Sequence, residues 1–266
     1  MNNLVFGKYI PIDSFMHRLD PRAKLIGLFL MIAAVFIPKS WWAFLMIAVV
    51  ELIALLLAKI GIRMIAQSFK PMIVMMIFLL VINVLTLHTG ELLFMIGSVP
   101  VHHDAIFNTL FVVVRLLLMI SITTLLTATT KPLDLTLGIE WILKPLEVFR
   151  FPTHEIAMMV SIALRFIPTI IEETMRIMNA QKSRGVDFEN GSLSQKITSI
   201  LSLIVPLFSV AFERAYELAD AMEARGYVPG AERTRYHILK FHLADYLFIL
   251  ICIAVFAASI LSRIFL

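Results

Sequence analysis

Long apolar runs separated by short polar segments recur along the chain. A helix needs about 20 mostly apolar residues to cross a bilayer. Five runs meet or approach this length and are predicted to span the membrane: Leu25–Ile37, Trp41–Ala58, Met72–Leu87, Ala105–Ala128 and Tyr246–Leu261. The pattern therefore predicts an all-α polytopic membrane protein with about five transmembrane helices.

The composition supports this prediction. Hydrophobic residues make up 60% of the 266 residues and charged residues 16%, whereas soluble domains average about 45–50% apolar and about 25% charged. A soluble enzyme and a disordered chain are excluded. Cys252 is the one cysteine in the sequence, which excludes a disulfide framework. The first 20 residues contain no apolar run, so no cleavable signal peptide is expected.

Two further apolar stretches, Ala157–Ile171 and Ile197–Phe212, are shorter than a typical span. If the five runs span and the N-terminus is cytoplasmic, twenty of the 23 Lys and Arg residues lie on the cytoplasmic side, as the positive-inside rule favours. A spanning hairpin of the two stretches would move three basic residues outside and place Arg165 at mid-membrane, at a cost of about 2.5–3.5 kcal/mol. We therefore expect these stretches to be membrane-associated or interface helices.

The charge pattern predicts four segments. They are a cytoplasmic N-terminal segment (1–24), a four-helix transmembrane part (25–128), a cytoplasmic helical segment (129–240) and a last transmembrane helix (241–266). Apolar periodicity predicts three amphipathic helices in the third segment, at about Leu133–Phe149, Thr153–Arg184 and Ser192–Arg225.

The second and third of these helices share one design. Each has an apolar half, a proline (Pro168 or Pro206), a charged half and a terminal Arg-Gly, and the arginines Arg184 and Arg225 are 41 residues apart. Arginine near a helix C-terminus favours the helix dipole, and glycine accepts the left-handed conformation that ends a helix. Such ends are common for these reasons alone. Two of them would also suit docking, since a compact end with an arginine can make bidentate contacts with acidic residues of a partner.

The sequence resembles the transmembrane T component of energy-coupling factor (ECF) transporters over nearly the whole chain. The resemblance depends on the order of the spans and on three motifs: Leu19-Asp20-Pro21-Arg22-Ala23-Lys24-Leu25, Ser183-Arg184-Gly185 and Ala224-Arg225-Gly226. The third motif has the family's Ala-Arg-Gly form, whereas Ser183 replaces alanine in the second.

The resemblance implies a non-catalytic scaffold. Its partners would be two ABC-type ATPases, which bind the ATP and Mg, and a substrate-binding membrane protein called the S component; this chain itself would hold no cofactor. The arginines matching Arg184 and Arg225 would dock into the two ATPases. The long helices would act as coupling helices that transmit ATPase movement to vitamin or other micronutrient uptake. A T component dedicated to cobalt or nickel is the alternative within the family.

The apolar parts of the long helices are rich in methionine, a flexible residue that suits varied partners. These methionines form a candidate platform for the S component, although they could instead pack the protein's own core: Met158, Met159, Met175, Met178 and Met222. The prolines Pro168 and Pro206 are candidate hinges, although each could be a passive kink.

Three polar residues lie within predicted spans: Glu51, Asn83 and Arg115. They could form an ion pathway, which is the alternative function of a self-contained secondary transporter or channel. We favour contacts between helices, with Arg115 paired with Glu51. The spans show no inverted repeat, which weighs against a secondary transporter.

Other chemistry finds little support in the sequence. The chain has no phosphate-binding loop with Lys-Ser/Thr. A group of polar residues after the third span lacks the repeated ligand spacing of a metal site, and an ordinary loop is expected there: His88, His102, His103 and Asp104. Basic residues do not alternate with aromatic residues along a stripe, so no nucleic-acid partner is expected.

Overall fold

The computed structural model describes residues 9–38, 40–86, 92–96, 99–149, 151–188, 190, 192–230 and 239–265. These residues are mainly α-helical, and the predicted all-α class is confirmed. The helices in chain order are α1 (Phe15–Arg18), α2 (Pro21–Phe36), α3 (Trp41–Ala58), α4 (Ile62–Phe69), α5 (Ile73–Thr86), α6 (His103–Thr129), α7 (Pro132–Leu143), α8 (Thr153–Ser183), α9 (Leu193–Ala224) and α10 (Leu243–Phe265).

One small sheet interrupts this helical fold. Strands β1 (Leu92–Ile96) and β2 (Val99–His102) pair antiparallel just before α6. The sequence pattern did not predict this hairpin, because its short apolar strands do not alternate cleanly with polar residues.

Within the described residues, six helices are long and apolar enough to cross a membrane: Trp41–Ala58, Arg63–Thr86, His103–Thr129, Thr153–Ser183, Leu193–Ala224 and Leu243–Phe265. The protein is therefore a multi-pass membrane protein. This set differs from the five predicted spans in two ways. Helix α2 has 16 residues and is too short to be included, whereas α8 and α9, which were not predicted to span, are long enough. The two ambiguous stretches looked short because each continues, within the same helix, into a charged half.

The chain forms two compact units. The first contains the described residues up to Ile142 and those from Leu239 onward. Its main core joins four helices through buried residues such as Val35 of α2, Phe44 of α3, Ile122 of α6 and Val255 of α10. Distant parts of the chain therefore meet in this unit, and the last helix packs against the first long one.

The second unit lies within Leu143–Ile238 and contains α8 and α9. Helix α7 ends at Leu143, and the chain continues as a 3-10 helix at Lys144–Phe149. This is expected because Pro145 has no backbone N–H to donate. Helix α9 begins with a capping box between Ser192 and Gln195. Few side chains are buried in these two helices: Thr153 and Ala157 in α8, and Ser199 in α9.

Candidate docking ends of two long helices

The C-termini of α8 and α9 have the same backbone geometry. At the end of α8, the Val186 N–H donates to the Gln181 carbonyl at 3.1 Å and the Gly185 N–H donates to the Lys182 carbonyl at 3.0 Å. At the end of α9, the Tyr227 N–H donates to the Met222 carbonyl at 2.9 Å and the Gly226 N–H donates to the Glu223 backbone carbonyl at 2.8 Å. Both patterns are Schellman motifs, which close a helix over its last free carbonyls.

The glycines of both motifs are needed for their backbone conformation. Gly185 has φ +85° and Gly226 has φ +73°, a region that L side chains rarely adopt. Among the described residues, a methyl group built on either glycine would have no atom within 4 Å. The left-handed conformation predicted for both glycines is confirmed, whereas their docking role stays a prediction.

The two arginines are exposed at these ends. Arg184 and Arg225 occupy the C-cap positions of α8 and α9. Within the described part of the chain, neither guanidinium has an ion pair or a hydrogen bond from its side chain. Their neighbours Ser183 and Ala224 are also exposed, and the Ser183 hydroxyl donates back to the Asn179 carbonyl at 3.1 Å. Each end thus presents a free guanidinium among small residues on a rigid cap.

The five methionines of the candidate platform differ in exposure. Met159 and Met175 expose 57% and 48% of their surface, so the core-packing alternative does not fit these two. Met158, Met178 and Met222 are half-buried. Larger apolar side chains of α9 are also exposed: Ile197, Ile200, Leu201, Val205, Phe208 and Phe212.

The candidate hinges lie inside continuous helices. Pro168 is within α8 and Pro206 is within α9, and neither proline ends its helix. A proline inside a helix removes one backbone hydrogen bond and is a place where a helix bends. A hinge role for the two residues remains a prediction.

A cross-helix ion pair joins α8 to α9. The Arg214 guanidinium donates to the Glu173 carboxylate at 3.0 Å. Glu173 also accepts from Arg176 at 3.4 Å, but the Arg176 side chain is 75% exposed. Neither Glu173 nor Arg214 is among the residues predicted from the sequence to form a site. Their spacing of 41 residues, the same as that of Arg184 and Arg225, is the signal that could have identified them.

The expected pairing of Arg115 with Glu51 is wrong. The Arg115 guanidinium instead donates to the Pro38 carbonyl at 3.3 Å and lies over the rings of Phe36 and Phe44 at about 6 Å. The long arginine side chain reaches a backbone acceptor and two aromatic faces between α2 and α3, and these replace a carboxylate partner.

Glu51 lies apart from this cluster. It is 3% exposed and lines an apolar cavity of about 140 Å³, and among the described residues neither of its carboxylate oxygens has a hydrogen-bond partner. Arg115 does not line that cavity. The two residues therefore do not share one polar path.

Asn83 makes the kind of helix–helix contact that we expected. Its side-chain amide in α5 donates to the Thr109 hydroxyl in α6 at 3.0 Å. The loop predicted after the third span is wrong for three of its four polar residues, because His102 ends β2 and His103 and Asp104 begin α6. His103 stacks on Phe107 with ring centroids 4.0 Å apart. His88 lies outside the described residues. No group of three or more potential metal ligands occurs among the described residues.

The motif that begins at Leu19 has a structural role that was not predicted from the sequence. Asp20 caps α2 by accepting the Arg22 N–H at 2.8 Å. The Asp20 N–H donates to the buried carboxylate of Asp245, and that carboxylate also accepts the His242 N–H at 2.7 Å. The Asp-Pro pair is a visible capping signal, but its partner is 225 residues away.

Comparisons with known proteins identify the family. A family model described as CbiQ, cobalt transport protein, matches residues 13–236. The chain is 43% identical over 246 residues to the energy-coupling factor transporter transmembrane protein EcfT of Lacticaseibacillus paracasei, covering 92% of this chain and 93% of that one. It is 42% identical to the EcfT of Bacillus subtilis over 90% of each chain, and 39% identical to that of Lactococcus lactis over 94% of each. The resemblance is confirmed, and the chain belongs to the CbiQ/EcfT family, the transmembrane component of energy-coupling factor transporters.

Proposed function

We propose that this chain is the scaffold that joins two partner ATPases to a substrate-binding S component and couples ATP hydrolysis to uptake. The observation that carries the proposal is the pair of helix ends with the same backbone geometry, each with an exposed arginine whose guanidinium has no partner among the described residues. A scaffold that serves two ATPases needs two equivalent docking sites, and α8 and α9 provide two.

The ends have the chemistry of an interface anchor. An arginine fork can bind a carboxylate through two parallel hydrogen bonds. Because the guanidinium groups of Arg184 and Arg225 have no partner among the described residues, docking would not first break an internal ion pair. The absence of a side chain at Gly185 and Gly226 would let the walls of a groove approach the helix backbone.

The exposed apolar side chains of α8 and α9 fit contact with lipid and with the S component. Soluble monomers rarely expose apolar patches of this kind without a partner. Met159 and Met175 are on this surface, and flexible methionines suit a scaffold that accepts several S components. Movement at Pro168 and Pro206 would transmit ATPase closure to that surface.

The substrate would be selected by the S component and not by this chain. We prefer a vitamin-type micronutrient carried through a shared scaffold. The matching family is described as cobalt transport protein, and this favours a second candidate, a scaffold dedicated to a cobalt or nickel S component. The number of different S components that copurify with the chain distinguishes the two.

The docking proposal predicts the effect of reversing both charges. We expect Arg184→Glu/Arg225→Glu to lose its ATPases in an affinity pull-down from mild detergent, because each groove would meet a carboxylate in place of a guanidinium. The copurified proteins are identified by mass, and the ATPases by their nucleotide-binding motifs. Lys144→Glu/Lys240→Glu is the matched control, since it makes the same change of net charge at two other exposed residues.

The control should retain both ATPases, and the double variant should remain monodisperse and keep its S component. ATPases retained by the double variant at the stoichiometry of the unmodified protein would contradict docking through these ends.

A further inference from the structure

We propose that the Glu173–Arg214 ion pair lies on a local two-fold axis that relates α8 to α9, and that it positions the two docking ends. The sequence spacing supports the axis. Arg214 follows Glu173 by 41 residues, just as Arg225 follows Arg184. Adding 41 to the residue numbers of α8 (Thr153–Ser183) also gives those of α9 (Leu193–Ala224), with a difference of one residue at the start and no difference at the end.

Equivalent residues of two copies contact each other only near the axis that relates the copies. Glu173 and Arg214 are equivalent under the offset of 41, and they are 3.0 Å apart. The contact between α8 and α9 at this pair therefore marks the axis. Opposite charges at the two equivalent positions allow an ion pair there, where two copies of one residue would repel.

The helix beyond the pair forms two arms of equal length. Arg184 follows Glu173 by 11 positions in α8, and Arg225 follows Arg214 by 11 positions in α9. At 1.5 Å per residue each arm is about 16 Å long, so the two arginines are no more than about 35 Å apart. Neither arm contains a proline, because Pro168 and Pro206 precede the pair.

The pair is the main polar contact that the described residues place between these helices. Its side chains are 16% exposed for Glu173 and 32% exposed for Arg214, so the pair is less screened by solvent than a surface salt bridge. The buried side chains of α8 and α9, which are Thr153, Ala157 and Ser199, all lie at least about four helical turns from it. The packing of these three residues therefore does not set how α8 and α9 approach each other at the ion pair.

The positioning role depends on the proposed function, since it assumes that both ends dock at once. Under that function, Glu173 and Arg214 are positioning residues that hold the arginines at the spacing of two grooves on an ATPase dimer. They would set how well both ends engage together without touching the ATPases.

Spin labels can measure the distance between the ends in the full-length protein in nanodiscs. We would label Asn179→Cys and Asp220→Cys, two exposed equivalent residues near the ends, in a Cys252→Ala background. The unmodified pair should give one narrow distance distribution. Glu173→Gln and Arg214→Gln should each broaden it, and the swap Glu173→Arg/Arg214→Glu should restore it. Glu172→Gln, which removes the neighbouring exposed carboxylate, is the matched control and should leave the distribution narrow.

The same variants are then tested for ATPase retention. Each single variant should retain the ATPases about tenfold less tightly, and the swap should recover the affinity. A distance distribution that is unchanged in the single variants, or one that the swap does not restore, overturns the positioning role. Failure of docking itself is distinguishable, since ATPase retention would then not respond to Arg184→Glu/Arg225→Glu, whereas the distances measured without ATPases would still respond to the ion pair.

Discussion

Lys24 is a buried cation whose ammonium is surrounded by hydrogen-bond acceptors. It is 6% exposed, and its ammonium donates to the Thr129 carbonyl at 2.9 Å, to the Thr130 hydroxyl at 3.3 Å and to the His17 carbonyl at 3.4 Å. The Thr129 carbonyl belongs to the last turn of α6, where the helix dipole favours a positive charge. Lys24 therefore links the start of α2 to the end of α6 through hydrogen bonds.

We expect Lys24→Met to destabilise the protein by about 2 kcal/mol, because it leaves buried acceptors at Thr129 and Thr130 without a donor. Thermal unfolding in detergent would show this as a lower midpoint. Lys240→Met is the matched control, since Lys240 is exposed and the change removes the same charge. Equal midpoints for the two variants would show that the three contacts of Lys24 do not stabilise the fold.

Residue roles could be predicted where they depend on nearby sequence. The left-handed glycines Gly185 and Gly226 and the Ser192 cap follow from local rules. The pairing of Arg115 could not be predicted, because its acceptor is the Pro38 backbone carbonyl, 77 residues away. Every residue has such a carbonyl, so no sequence pattern favours the Pro38 carbonyl over the carboxylate of Glu51 in a neighbouring span.

At the scale of elements, the contact between α2 and α10 depends on the absence of a side chain at Gly27. A methyl group on Gly27 of α2 would lie 2.5 Å from the Phe248 ring and 3.3 Å from the Cys252 sulfur, both on α10. Glycine therefore lets these helices approach closely, as small residues do at helix interfaces in membranes.

Gly27→Ala should cost about 1–3 kcal/mol through overpacking. The compensating double variant Gly27→Ala/Phe248→Leu should recover part of that loss, since leucine is smaller than phenylalanine at the point of contact. The free energy of unfolding in detergent measures both effects. Gly61→Ala is the control, because a methyl group there has no atom within 4 Å. A loss that the Phe248 change leaves untouched would point to a cause other than this contact.

The long helices were the elements best predicted from sequence. The predicted bounds of α8 and α9 agree with the structure to within one residue at each end, because proline, serine and glycine mark those ends. The number of membrane-length helices was predicted less well, since a window of apolar residues does not show that a helix continues into a charged half. The hairpin of β1 and β2 was missed, as its pairing joins two segments that lack the alternating pattern of half-buried strands.

At the scale of the whole molecule, the two units differ in how they are stabilised. The first has a core of buried apolar residues from four helices. In the second, the buried residues described in α8 and α9 are Thr153, Ala157 and Ser199, and many large apolar side chains are exposed. Helices of this kind need lipid or another protein to cover them, which agrees with a subunit that works inside a complex.

The proposed orientation of the chain in the membrane can be tested with one introduced cysteine in each unit. With a cytoplasmic N-terminus, the charge pattern places the start of α9 inside the cell and the hairpin before α6 outside. In a Cys252→Ala background, Ser192→Cys should react with a membrane-impermeant maleimide only after the cells are opened, whereas Met95→Cys should react in intact cells. Both residues are exposed, so a difference in labelling reports the side of the membrane and not burial. Labelling of Ser192→Cys from outside would place α8 and α9 across the membrane as a hairpin. It would also move Arg184 away from the cytoplasmic ATPases, and docking through the two arginines would then fail together with the orientation.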